Sequence, residues 1–299
     1  MQSADEVERV ESSIVGVARA RELLHLIRKN TGALIGGILV FIFLVIAIVE
    51  GISGYLGKPL TPYNPIQTHV GPNFSPPTLH YLMGTDNFGR DVFSRVIASI
   101  PNDAVISFSV IAVALVVGLF IGSFAAFRGG ILEEALMRIT DVFFAIPALI
   151  LAIAIAVALG PGLLNMMIAL MIIWWPPYAR LARGEALKVS HQNFIEASRF
   201  AGLPAPKIVL RHVIPNISIT LLVYATLDIG TVILVYSGLS YFGLGVLPPA
   251  PDLGRMVSEY ADYVLTYYWL PLFPGLTIAL LVISYSIFGD GLRDALEVG

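Results

Sequence analysis

The sequence predicts an all-α membrane protein with six transmembrane helices. Three observations predict this fold class: 57% of the 299 residues are hydrophobic, only 13% are charged, and the apolar residues gather into long uncharged runs. The mean hydropathy of +0.81 is typical of membrane proteins and excludes a water-soluble globular domain. About 20 helical residues cross the roughly 30 Å of hydrocarbon in a bilayer, so each long run can form a span.

The six predicted spans are apolar, and the fifth contains an acidic residue, Asp228, in its middle. They occupy residues 30–54, 104–127, the two halves of 142–179, 217–237 and 269–288. The uncharged stretch 142–179 is too long for one span, and Gly160, Pro161 and Gly162 interrupt it. Because Gly and Pro break helices, this stretch predicts a hairpin that forms spans three and four.

Basic residues are distributed unevenly between the two sides of these spans. Lys and Arg accumulate on the cytoplasmic side of membrane proteins. Of the 18 basic residues, 14 lie on one side, either before span one or after span two, four or six. Only Lys58, Arg90, Arg95 and Arg255 lie on the other side. We therefore expect both termini in the cytoplasm. The predicted organisation is a cytoplasmic tail at 1–29, span one at 30–54, an external loop at 55–102, and a domain of five spans at 103–299 with an internal loop at 190–216.

The internal loop has a helical pattern of its own. Asn193 and Glu196 have the spacing of a capping box, and Gly202 followed by Pro204 predicts the end of the helix. A second short helix is predicted at 206–214, with Pro215 at the start of span five. The pattern alone is equally typical of an amphipathic helix lying on the membrane surface.

The loop also contains a recognisable motif. Glu196-Ala197-Ser198, then Gly202, then Arg211-His212-Val213-Ile214-Pro215 resembles the EAA loop of type I ABC importer permeases, with Ser198 in place of an alanine and His212 in place of the usual isoleucine. This resemblance implies that the loop docks on a cytoplasmic ATPase. The residues to which it gives an ATPase-coupling role are Glu196, Ala197, Arg199, Phe200, Ala201, Gly202, Arg211 and Pro215.

Further motifs extend the resemblance over residues 83–296. The run Met83-Gly-Thr-Asp-Asn-Phe-Gly-Arg-Asp91 is similar to the signature before span two in the second permease subunit of the peptide branch, and 239–245, 273–275 and 288–296 are similar to that subunit's end. The resemblance implies four partners besides the lipid bilayer: a homologous permease subunit, two ATP-binding subunits or domains, and an extracytoplasmic substrate-binding protein. It also implies a location in the cytoplasmic membrane.

The chain lacks the motifs of a catalytic protein. It contains no phosphate-binding loop of the form Gly-x-x-x-x-Gly-Lys-Ser/Thr, and its five histidines show neither metal-ligand spacing nor the pattern of a nucleophile paired with a base. We therefore expect no catalytic residue, no metal site and no cofactor on this chain, with ATP and Mg bound by the partner ATPase subunits. Nucleic acid is not an expected partner.

Two residues, Asp228 and Tyr236, are candidates for the translocation pathway. Asp228 lies inside span five, where a carboxylate is costly unless it faces water or a polar partner. A buried carboxylate is also typical of an ion-coupled secondary transporter, which is the alternative class of protein. Two observations oppose that alternative: the EAA-like loop, and the absence of two similar halves within the sequence, which many secondary transporters have. Trp174, Trp175 and Tyr178 at the end of span four fit an interfacial aromatic belt.

The solute is less clearly indicated. Tyr236 stands where peptide-permease relatives commonly have a Glu, and this departure weakens a contact between a carboxylate and the ammonium group of a peptide. A phenol suits sugar hydroxyls equally well. Small peptides are the first expectation and oligosaccharides the alternative, with nickel behind both.

Overall fold

The computed structural model describes residues 30–297, and this part of the chain is mostly helical, as predicted. The predicted cytoplasmic tail at 1–29 lies outside the described residues. The helices are α1 (Thr31–Tyr55), α2 (Val92–Arg128), α3 (Gly130–Ala145), α4 (Ala148–Leu159), α5 (Leu163–Ser190), α6 (Asn193–Phe200), α7 (Ala205–Ile208), α8 (Ile214–Tyr241), α9 (Leu253–Glu259) and α10 (Trp269–Glu297). A π-helical turn at Val209–Val213 joins α7 to α8.

Four helical segments in the described range are long and apolar enough to cross a membrane: Thr31–Tyr55, Val92–Arg128, Ala205–Tyr241 and Trp269–Ala295. The pair α3 and α4 makes a fifth if it counts as one broken span. Helix α5 has 28 residues, but Pro176, Pro177 and Arg180 in its second half lower its hydropathy. The count of six spans therefore stays a prediction.

The predicted third span is not one straight helix. The chain bends by 87° between α3 and α4. The bend lies at Ile146, whose extended backbone (φ −106°, ψ 130°) precedes Pro147. A proline disfavours the helical conformation in the residue before it, which explains why the helix ends there. The expectation of a simple hairpin over 142–179 is wrong in this half.

The predicted start of span two is also wrong. Helix α2 begins at Val92, well before the predicted residue 104, so the helix extends into the stretch that was predicted as an external loop. The Asp91 side chain caps the helix by accepting a hydrogen bond from the Ser94 backbone N–H at 2.8 Å. Pro101 lies inside the helix and does not end it.

Helices α2 and α5 form the centre of the molecule. Their backbones approach closely at Gly118 and Gly122, which are four residues apart on α2 and face Tyr178 and Ala179 on α5. Small residues at this spacing allow close helix packing in membranes. By contrast, the exposed positions of α1 are apolar, among them Leu34, Ile38 and Phe41, as expected for a surface in contact with lipid.

Candidate functional site

The internal loop contains a well-formed helix end at Gly202. Helix α6 ends at Phe200, and Gly202 has a φ of +75°. The backbone N–H of Leu203 donates to Ser198 O at 3.2 Å and that of Gly202 donates to Arg199 O at 3.0 Å. These two bonds form a Schellman motif. The predicted tight turn at Gly202 is confirmed.

The predicted capping box is wrong. Gln192 occupies the N-cap position, no side chain caps the helix, and Asn193 is already its first residue. Glu196 lies on the exposed side of α6. The helix needs no side-chain cap because tertiary packing holds it, as the next contacts show.

One side of the loop is anchored and the other is exposed. Ile195 is fully buried in a small apolar core with Ile208, Val213 and residues of α2 and α5. On the opposite side Phe200 is 90% exposed, and Ala197, Ala201 and Gly202 are also exposed. The guanidinium of Arg199 lies over the ring of Phe127, 4.6 Å from its centroid, at the end of α2. The loop therefore presents an apolar residue on a fixed support.

The second half of the loop is continuous with the next span. A separate helix at 206–214 was expected, but α7, the π turn and α8 form one helical segment from Ala205 to Tyr241. The Ile214 N–H donates to Val209 O, a π-type bond that widens the helix just before Pro215. Because proline lacks an N–H, this widening lets the helix pass Pro215 without ending. Arg211 and Pro215 are exposed on this segment.

Asp228 is held by side chains of the same chain. Its Oδ2 accepts hydrogen bonds from Trp174 Nε1 at 2.6 Å and from the Tyr178 hydroxyl at 3.2 Å. The interpretation of Trp174 and Tyr178 as an interfacial belt is wrong, because Tyr178 is fully buried and both side chains bind Asp228. The sequence places these residues 50 and 54 positions from Asp228 and gives no sign of the contact.

One face of α8 is polar along its N-terminal part. Asn216, Thr220 and Thr231 are exposed, and Tyr224 and Asp228 are partly exposed. Their spacings of four, four, four and three residues place them along one side of the helix. We call these five residues the polar face of α8. It contrasts with the apolar exposed surface of α1, and a carboxylate and three hydroxyls facing hydrocarbon would be costly.

A cavity of about 540 Å³ adjoins the N-terminal part of this face. Asn216, Thr220 and Tyr224 line it together with Leu181 of α5 and Arg293 of α10. The Tyr224 ring packs edge-on against Tyr178, with centroids 5.2 Å apart. Tyr224 thus lines the cavity and contacts Tyr178, which in turn binds Asp228.

Tyr236, the second pathway candidate, lies in the core. It is 1% exposed, and its hydroxyl donates to Asp252 Oδ2, which also accepts from the Ser240 hydroxyl at 3.1 Å. Asp252 in turn caps α9 through the Arg255 N–H. The Tyr236 phenol therefore connects α8 to the start of α9 within this subunit.

The motif at 83–91 forms a buried polar clasp. Asp86 is fully buried, and its carboxylate accepts from the Phe88 and Arg90 backbone N–H groups, from Arg90 Nε at 2.6 Å and from the Tyr260 hydroxyl at 2.8 Å. Burial raises the pKa of the Tyr260 phenol, so it stays protonated and donates. Sequence reasoning recognised the motif but missed Tyr260. The i, i+4 spacing of Asp86 and Arg90 was the available signal for their ion pair.

The described fold, with its central α2–α5 pair and a helical loop that continues into a span, defines the class: it is the fold of a type I ABC importer permease. Among solved structures it is similar to the inward-facing MetNI methionine ABC transporter, with a TM-score of 0.56 and 22% identity over 69% of this chain and 97% of that chain. The chain belongs to the family of binding-protein-dependent transport system inner membrane components, which matches residues 118–298.

Two curated relatives are similar over nearly the whole length. The dipeptide transport system permease protein DppC of Alkalihalophilus pseudofirmus is 33% identical, covering 96% of this chain and 92% of the relative. The di/tripeptide transport system permease protein DppC of Pseudomonas aeruginosa is 34% identical, covering 96% and 94%. The chain is accordingly a multi-pass membrane protein that works with other subunits of an ABC transporter.

Proposed function

We propose that this chain is one of two homologous permease subunits that enclose the pathway of an ABC importer for small peptides. The polar face of α8 is the observation that carries the proposal. A single subunit leaves this face uncovered, and it is too polar for lipid, so it fits a water-containing pathway between two subunits. The dipeptide and di/tripeptide transport relatives support peptides as the solute.

Oligosaccharides have less support than peptides. Their case rested on the phenol of Tyr236, and that hydroxyl is bonded to Asp252 inside the core. No other feature of the polar face favours a sugar over a peptide. An importer of this kind requires no catalytic residue or cofactor on this chain, because ATP and Mg belong to the two ATPase partners.

The loop Asn193–Pro215 serves in this proposal as the coupling element. Phe200 and Ala201 enter a groove on a cytoplasmic ATPase subunit, and Ile195 transmits the movement to α2 and α5 through the apolar core that it shares with them. Glu196, Ala197, Arg199 and Arg211 complete the contact surface. In the proposed topology both termini lie in the cytoplasm and the clasp at Asp86 lies outside, where a substrate-binding protein docks.

Uptake into proteoliposomes tests the solute class. The chain is reconstituted with its homologous permease, its ATPase subunits and its binding protein, with ATP inside. We expect ATP-dependent accumulation of trialanine and none of maltotriose. Accumulation of maltotriose alone would replace peptides by oligosaccharides. Uptake that follows a proton gradient without ATP would restore the secondary transporter.

Gly202→Asp tests the coupling role. An added Cβ at Gly202 meets nothing within 4 Å of this chain, so the variant leaves the subunit intact apart from the strained φ. We expect normal membrane insertion but loss of ATPase association and of substrate-stimulated ATP hydrolysis. Normal association and uptake in this variant would mean that the loop is a membrane-surface helix.

A further inference from the structure

A carboxylate and three aromatic side chains meet at the middle of the polar face of α8. Trp174 and Tyr178 both bind Asp228 Oδ2, and the ring of Tyr224 packs against that of Tyr178. Trp174, Tyr224 and Asp228 are each partly exposed. A group that moves along this face therefore meets a negative charge and aromatic rings at the same place.

The hydrogen bonds of Asp228 orient its carboxylate without cancelling its charge. The two donors are the indole N–H of Trp174 and the hydroxyl of Tyr178, and neither of them is charged. Both aromatic donors bind the same oxygen, Oδ2. The carboxylate is thus fixed in position and retains the capacity to accept further hydrogen bonds.

A purely structural tie between α5 and α8 does not need a charge. A neutral acceptor, such as an amide or a hydroxyl, would accept the same hydrogen bonds from Trp174 and Tyr178, and its burial would cost less desolvation free energy than that of a carboxylate. The charge is therefore useful mainly toward a cation. A primary ammonium group fits, because it donates charge-assisted hydrogen bonds to a carboxylate and is attracted to the faces of Trp and Tyr rings.

We propose that Asp228, Trp174 and Tyr224 form a binding site for a primary ammonium group of the translocated solute. This inference rests on the proposed function, since it takes the polar face of α8 as a wall of the pathway. For a peptide, the group is the terminal α-ammonium. The site lies on this subunit and is independent of recognition by the external binding protein.

Tryptophan fluorescence of the purified transporter complex, without binding protein, tests the site. The probes are trialanine and N-acetyl-trialanine, which differ in the ammonium group. We expect a saturable change in emission with trialanine and binding of the acetylated peptide that is weaker by roughly tenfold or more. The change should disappear in Trp174→Phe, which identifies the reporting residue among the three tryptophans of this chain.

Asp228→Asn separates charge from structure, because its amide oxygen still accepts from Trp174 and Tyr178. We expect this variant to bind both probes with the same weak affinity. Glu134→Gln is the matched control, since Glu134 is an exposed carboxylate paired with Arg138 on α3, and it should discriminate like the wild type. A melting temperature close to that of the wild type shows that Asp228→Asn is folded.

Three results would overturn the ammonium site: no saturable change with trialanine in the wild type, equal affinity of the wild type for the two probes, or preserved discrimination in Asp228→Asn. The solute class is judged separately, by the uptake of trialanine against maltotriose. A complex that imports trialanine but does not distinguish the two probes would retain the proposed function and lose the site. A complex that imports only maltotriose would lose peptides as the solute.

Discussion

The close approach of α2 and α5 at Gly118 allows the effect of a Gly118→Ala substitution on stability to be estimated from the structure. An added Cβ at Gly118 would overlap Tyr178 Cβ and lie 2.7 Å from Ala179 N, whereas ordinary contact begins near 3.4 Å. Backbone and Cβ atoms cannot rotate away, so the two helices must separate. Such overpacking costs about 1–3 kcal/mol, and the better helix propensity of alanine returns about 0.5–1 kcal/mol. We therefore expect Gly118→Ala to be destabilising.

Gly184→Ala on α5 is the matched control. Gly184 is exposed, and an added Cβ there meets nothing within 4 Å. Only the propensity gain of about 0.5–1 kcal/mol remains, so this variant should be slightly more stable than the wild type. The same glycine-to-alanine substitution is thus expected to lower the stability at position 118 and to raise it at position 184.

Thermal unfolding of the purified complex, followed by tryptophan fluorescence, measures both variants. Gly118→Ala should also reduce uptake, because moving Tyr178 lengthens its bond to Asp228, which is already 3.2 Å. Equal melting temperatures for Gly118→Ala and Gly184→Ala would refute the packing argument. A normal melting temperature with reduced uptake would show that Gly118 acts on the pathway without controlling helix packing.

Three further predictions concern topology, coupling and the external clasp. A cysteine introduced at Leu79, which is 94% exposed, should react with an impermeant thiol reagent from outside and one at Gln192 should not. The readout is clear because the chain has no cysteine, and the reverse pattern would contradict the orientation. Phe200→Ala should weaken ATPase association without changing the stability of the subunit, because Phe200 is exposed. Ile195→Ala should cost about 2–5 kcal/mol of stability by opening a buried cavity. Equal melting temperatures for these two variants would contradict the anchoring role of Ile195. Tyr260→Phe should cost about 1–3 kcal/mol, since Asp86 loses a buried donor, and an unchanged melting temperature would argue against the clasp.

Helix type, the bounds of the first span and the start of the last span were predictable because they depend on local pattern. Residues 30–49 form one uncharged run, and the structure has α1 at Thr31–Tyr55. The turn at Gly202 was predictable for the same reason, since a glycine followed by a proline two residues later is a local signal. These features need no knowledge of distant residues.

The errors arose where tertiary contacts outweigh local pattern. Pro101 and Asp103 made the start of α2 resemble a loop, yet both lie in the helix, and Asp103 is buried against other elements. The partners of Asp228 come from a helix about fifty residues earlier, so no local pattern contains them. Tyr236 resembled a pathway residue only because of its position in a motif, and its burial depends on Asp252 in the following segment.

On the proposed function, the continuity of Ala205–Tyr241 links the coupling loop to the pathway. In a helix that rises about 1.5 Å per residue, Asp228 lies roughly 35 Å from Ala205 along one segment. No flexible linker interrupts this distance, and the π turn before Pro215 keeps the hydrogen-bond ladder going where proline would otherwise break it. At one end the apolar core around Ile195 and Ile208 holds the loop, and at the other Trp174 and Tyr178 hold Asp228. A displacement of α6 by an ATPase subunit must therefore move the polar face of α8 relative to the partner permease, or else break the contacts of Asp228 with α5.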